Sequence, residues 1–259
     1  IRIMRSTAQG GVNIVTDGLV YYIDNPNPNC YRPSGTTANN LAGGDISTLE
    51  NGLGFTNEFK GGWLFDGSDD YITTEQIDTQ QLTLDVWFKF NQPFSATTNI
   101  TLFRMGFDPV PFSLYFGSPV FNTVLGYRLQ PLFFFRNSTC PTSNFVTAAG
   151  FYLDNSFLYN MIVTYDWSTT TVNTYLHDAL DPLGNRTGPV SDTVNFGSQC
   201  STYEFNNTSQ TYNFMDIQRN YTFGGHWPCS IYNFKLYNRL LSEDERNQNH
   251  NALKTRFGL

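Results

Sequence analysis

Cleaving a glycosidic bond generally takes two carboxylates, about 5–5.5 Å apart for retention or 6.5–9.5 Å for inversion. The strand-like run Leu82–Phe90 (LTLDVWFKF) carries a single acid, Asp85, and no other strand-like run pairs acids at i and i+2. A serine triad fares no better. The chain has three histidines, His177, His226 and His250, and no Gly-x-Ser-x-Gly elbow. His250 falls on the last predicted helix, while His177 and His226 sit at strand ends, where surface or turn roles are the simpler reading. No catalytic residue is therefore expected.

Binding chemistry has better candidates. Asp66, Asp69 and Asp70 crowd the turn Asp66-Gly-Ser-Asp-Asp70. They could ligate Ca²⁺, which takes six to eight oxygens. Alternatively, Asp66 and Asp69 cap a tight turn through their own backbone, which needs no ion. Trp167, Tyr203, Tyr212, Tyr221 and Trp227 fall in or beside predicted loops. Such rings stack on sugars, plug the end of a sandwich, or meet a protein partner. The cysteines (Cys30, Cys140, Cys200, Cys229) lack C-x-x-C spacing, so zinc is not expected. Buried free thiols are the default, and one or two disulfides would follow from maturation outside the cytosol. Six N-x-S/T sequons occur, but a chain with 27 Asn and 46 Ser plus Thr generates about five by chance.

The elements that must position these residues are strands. Leu82–Phe90 alternates for nine residues and reads as a central strand. Leu158–Tyr165 and Thr171–Leu176 form a predicted hairpin across Asp166–Thr170. Leu19–Ile23, Trp63–Phe65, Tyr71–Thr74, Ile100–Met105, Phe112–Phe116, Gly126–Phe135 and Tyr221–Gly225 are further strands, with short extended pieces around Leu41 and Ile46–Leu49. Asn91–Asn99, Phe107–Pro111 and Asp178–Asn220 read as long loops. Near the end, Ser230–Tyr237 alternates Ile231, Asn233 and Lys235 against an apolar face of Tyr232, Phe234 and Leu236. A helix then starts with Ser242 as N-cap and Glu245 as its capping-box partner, and finishes with Lys254, Arg256 and Gly258.

Composition agrees with an all-β chain. Among the 259 residues, charged side chains are 14% and aromatics 16%, a profile of pleated, half-buried surfaces rather than a helical bundle. The net charge of −7 leaves no basic stripe for nucleic acid. Apolar runs such as Pro131–Phe135 are too short to cross a bilayer, so no membrane insertion is expected. Residues 1–13 read as an N-terminal arm or linker and 14–259 as one domain. The expected architecture is a two-sheet antiparallel jelly-roll sandwich with a short C-terminal helix.

Five segments in order resemble the laminin-G-like branch of the concanavalin A-like lectin/glucanase jelly rolls. They are Gly18–Asp24, Ser34–Thr37 with Asn40–Gly43, Phe65–Ile72, Met161–Asp166 with Val172–Leu176, and Ser230–Asn251. His177-Asp178 stands where many relatives carry Asn-Gly, and Cys229 where Gly usually precedes the last strand. The Ser-Gly-Thr-Thr loop and the Asn251–Gly258 ending are similar to domains of tailed-phage and other virion proteins. That resemblance implies a non-enzymatic structural or adhesive protein on a virion surface, as capsid decoration, head fibre or tail accessory. Its partners would be other virion proteins and a cell-surface glycan. The alternative is a secreted or cell-surface lectin-like module binding carbohydrate, with Ca²⁺ as the one candidate cofactor. A third reading, a glucanase, would have to work through Asp85.

Overall fold

A computed structural model describes residues 13–31, 35–44, 46–75, 79–96, 100–105, 112–122, 126–137, 140–147, 152–166, 168–169, 171–177, 190–195, 214–217 and 227–259. Two eight-stranded antiparallel sheets face each other. The first runs β14 (Val190–Asn195), β13 (Thr171–His177), β12 (Leu158–Asp166), β7 (Gln81–Phe90), β16 (Cys229–Tyr237), β5 (Gly62–Phe65), β4 (Gly54–Thr56), with β1 (Leu19–Ile23) also paired to β16. The second runs β11 (Cys140–Thr147), β10 (Gly126–Asn137), β9 (Phe112–Asn122), β8 (Ile100–Met105), β15 (Phe214–Ile217), β6 (Tyr71–Glu75), β3 (Ile46–Glu50), β2 (Thr37–Asn39). The expected all-β jelly-roll sandwich is the architecture observed.

The inner layer is apolar because alternate residues of each central strand point into it. Leu84, Val86, Phe88 and Phe90 of β7 meet Ile100, Leu102 and Phe103 of β8 and Leu114 and Phe116 of β9 in one cluster. Ring contacts cross between the sheets, Phe88 to Phe116 at 5.5 Å and Phe103 to Phe234 at 5.4 Å. Each fully buried aliphatic or Phe side chain contributes about 1.5–3 kcal/mol.

Strand β16 departs from the expected alternation. Its register on β7 shifts between Ile231 and Asn233, so one residue is extra and the faces exchange there. Ile231, Phe234 and Leu236 enter the inner core, whereas Tyr232 packs on the outer face with Trp87 and Phe257. The expected grouping of Tyr232 with Phe234 and Leu236 is therefore wrong, because strict period-two reading fails across a bulge. Two further corrections concern the segment expected to be loop. Val190–Asn195 pairs with β13 and Phe214–Ile217 joins the second sheet. Cys140–Thr147, assigned to no element from sequence, pairs with β10. Tyr221–Gly225 lies outside the described residues.

Helix α1 (Glu243–Lys254) closes the first sheet's outer face as the spacing predicts. The Ser242 side chain accepts from the Glu245 backbone N–H at 3.3 Å, and Glu245 Oε2 accepts from the Ser242 N–H at 2.9 Å. Arg239 grips both Glu245 oxygens at 2.6 and 2.9 Å, which holds that carboxyl down at about 2. After α1, Thr255–Phe257 forms a tight helical turn and Gly258 takes φ +76°, the left-handed stop its type allows.

Candidate functional site

One cleft opens at a loop end of the sandwich, with a volume of about 290 Å³. Four separate stretches build it. Asn51, Gly52 and Gly54 come from the β3–β4 connection, Leu64 to Asp70 from β5 and the turn after it, Asn91 and Gln92 from the end of β7, and Pro228 from the approach to β16. Leu64 and Pro228 supply apolar surface, while three amides and two carboxylates surround it.

Internal bonds hold the polar wall rigid. Asp70 Oδ2 accepts from the Asp66 N–H at 2.9 Å, and Asp66 Oδ1 accepts from the Ser68 N–H at 2.7 Å. Asn51 Nδ2 donates to the Asp69 carbonyl at 2.8 Å. Asn91 donates through Nδ2 to Ser230 Oγ at 3.0 Å and through its backbone to the Pro228 carbonyl at 2.8 Å. Gly67 turns with φ +83° directly beneath Pro228, where an added Cβ would fall 2.3 Å from Pro228 Cδ. Any side chain there would push Pro228 off the cleft wall.

Each sequence candidate has a different fate. Asp66, Asp69 and Asp70 do converge, with ligand atoms within 4.8 Å of one another. Yet the second turn-capping side chain is Asp70, not Asp69, whose backbone carbonyl is what Asn51 holds. Two of the six carboxylate oxygens are already committed to backbone N–H groups. Among the described residues no further acid, histidine or cysteine joins the trio, well short of a calcium shell by side chains alone. Trp227 is half-buried, packed against the core with its ring 6.0 Å from Phe94. Trp167, Tyr203, Tyr212, Tyr221, His226 and Cys200 lie outside the described residues, as does the side chain of Cys140. Cys30 and Cys229 are buried free thiols, and burial pushes the Cys30 thiol up to about 12.

Asp85 is removed from any sugar cleft. It sits fully buried on the outer face of the first sheet, under α1, with its Oδ2 3.0 Å from Lys235 Nζ. Asn160 and Asn249 donate to its two oxygens at 2.9 and 3.0 Å. A carboxylate enclosed and fully paired this way has no access to a glycosidic oxygen, so the glucanase reading through Asp85 falls. Nor are His177 and His250 surface histidines. Their rings stack at 3.9 Å beneath α1.

Asn91 and Gln92 open the expected loop Asn91–Asn99, and the cleft residues other than these, Asp66 and Asp70 escaped sequence reasoning. Asn51, Leu64, Asn91 and Pro228 are each unremarkable alone, and only strand pairing brings them together. The register Gly54 opposite Leu64, and Cys229 opposite both Phe65 and Phe90, is what assembles the rim.

No family model matches the chain, and no curated protein does. Solved structures do. The binding domain of botulinum neurotoxin serotype D/C superposes with a TM-score of 0.62 at 11% identity, over 92% of this chain and 53% of that one. The botulinum neurotoxin DC binding domain in complex with SialylT gives 0.61 at 11%, over 92% and 52%. Botulinum neurotoxin type C, whose uptake into cells depends on interaction with two ganglioside molecules, gives 0.62 at 12%, over 92% and 52%. At these identities the likeness is one of fold. The chain spans about half the length of these structures.

Proposed function

We propose that this chain is a non-enzymatic, extracellular lectin-like module that binds carbohydrate in the cleft between Asn51 and Pro228. The carrying observation is the cleft's chemistry. Leu64 and Pro228 give a patch for the apolar face of a sugar ring, and Asn51, Asp66, Asp70, Asn91 and Gln92 surround it with hydroxyl-bonding groups. Rigid backing by Ser230, Asp69 and the Asp66–Asp70 turn means little ordering is needed on binding. The neurotoxin neighbours, among them one in complex with SialylT, add support for a glycan-binding role. Attachment to a virion surface, with virion proteins as partners, rests on the sequence resemblance alone and draws no support from these neighbours.

A glycan array with the isolated protein, followed by titration calorimetry on the best ligand, tests this reading. Saturable binding is expected, weakened about tenfold by Leu64→Ala or Gln92→Ala, and unchanged by EDTA. Silence across a broad array, or affinity indifferent to both variants, sinks it.

A further inference from the structure

We infer that α1 is an acid-loosened clasp, in which His250, stacked on His177 and joined through Asn160 to the buried Asp85–Lys235 pair, opens the helix from the sheet when it takes up a proton. This device is independent of the cleft.

The hydrogen bonds assign the proton on His250. Asn160 Nδ2 donates to Asp85 Oδ1 at 2.9 Å and to the Val86 carbonyl at 3.3 Å. The opposite amide orientation would set an oxygen against the carboxylate, so Asn160 Oδ1 is the atom that faces His250 Nδ1 at 3.0 Å. As an acceptor, it requires the proton on Nδ1. Nε2 is then the nitrogen left to be protonated at lower pH.

The surroundings oppose that second proton. The His250 ring lies parallel to His177, centroids 3.9 Å apart, and also parallel to Trp87 at 5.3 Å. Among the described residues, the titratable and charged groups packed around it can be named element by element. β7 brings Asp85, and β16 brings Lys235, which already neutralises Asp85, and Tyr237, bound through its hydroxyl to Asn249. β13 brings His177 and also Tyr175, whose ring is covered by Arg246 at 3.6 Å. α1 itself adds Arg246 and, one turn on, Lys254. Asp85 and the Trp87 face favour an imidazolium, but burial, His177 and Lys254 outweigh them. The imidazole is accordingly held down at about 4, with burial the largest cause.

The sign follows from where the protons go. Released from the sheet, His250 regains its ordinary value of 6.5, above the docked value of about 4. Between those values the open form binds more protons than the docked form, so lowering pH favours opening. The open-to-docked ratio rises by up to about 300-fold, and the rise is complete below pH 4. The hinge is Arg256 beyond the helix, tied to Asp24 at 2.6 Å and to the Gly61 carbonyl at 2.7 Å. Opening uncovers Trp87 and Leu158 on the side now roofed by Leu253, while Phe257, past the hinge, stays packed on Tyr232.

Hydrogen–deuterium exchange on the intact chain at pH 7.0 and 4.5, corrected for intrinsic rates, reads the device directly. Amides of residues 243–254 are expected to lose protection on the order of a hundredfold, while β3 and β7 keep theirs. His250→Asn, whose amide still donates to Asn160 but does not titrate, should abolish the loss, and His177→Phe should reduce it. If helix and strands lose protection together, or if wild type and His250→Asn respond alike, the inference is overturned. Should the variants fail to fold, an NMR titration of wild-type imidazoles decides. His250 titrating near 6.5 while α1 stays docked overturns the inference, and titration below 5 together with loss of α1 contacts upholds it.

Discussion

Along its central strands the two faces of the first sheet are buried alike and built from different chemistry. Every residue of β12 and β16 is buried. Inward, β7 and β16 send Leu84, Val86, Phe88, Phe234 and Leu236 into a purely apolar layer. Outward, the same strands send Asp85, Trp87 and Lys235 beneath a helix, where Asn160 and Asn249 complete a polar network. The inner face is held by non-directional packing, which tolerates exchange of like shapes. The outer face adds to an apolar cluster of Trp87, Leu158, Tyr232, Leu253 and Phe257 a set of directional bonds, each member of which strands another when removed. Equal burial thus hides unequal fragility, and sensitivity to acid belongs to the polar side alone.

Three substitutions sharpen the contrast. The largest effect is expected from Asp85→Ala, which leaves the Lys235 ammonium buried without its partner and costs about 3–5 kcal/mol. Urea unfolding measures it, and the pair Asp85→Leu with Lys235→Met should recover about half or more, because no charge then remains enclosed. A double variant as weak as the single one would contradict this account of the outer face. Next comes Leu84→Ala on the inner face. There a cavity costs about 2–5 kcal/mol, and changing Lys235 on the far side of the sheet should leave that loss unaltered. Smallest is Ser242→Ala, which removes half of the capping box for about 1 kcal/mol. Its effect should show as faster exchange in the first turn of α1, with the strands unchanged.

Much of the fold was legible because it is locally encoded. Period-two runs such as Leu82–Phe90 announce strands, and Ser242 with Glu245 announces the helix start through bonds three residues apart. The bulge in β16 was not legible, since Ile231–Asn233 carries no glycine or proline to mark it. The polar layer under α1 was legible only in part. Asp85 and Lys235 stand out only as polar residues within alternating strands, and nothing local says that a helix more than 150 residues downstream of Asp85 will cover them. The binding cleft was the least legible. Its rim comes from four stretches of chain, of which the sequence marks two, the loop that starts at Asn91 and the Asp66–Asp70 turn, and the turn would need its acids with or without a ligand.

The strand that completes the first sheet is also the last in chain order among the described residues. Cys229–Tyr237 lies between β7 and the β5–β1 edge, and Leu19 finds its register only against Tyr237. The nascent chain consequently carries β1, β5 and β7 with unsatisfied edges until β16 has left the ribosome, so closure awaits that strand. Such long-range pairing slows folding and prolongs the interval in which those edges can join a neighbour. Demand for chaperones should therefore concentrate in the interval before β16 emerges.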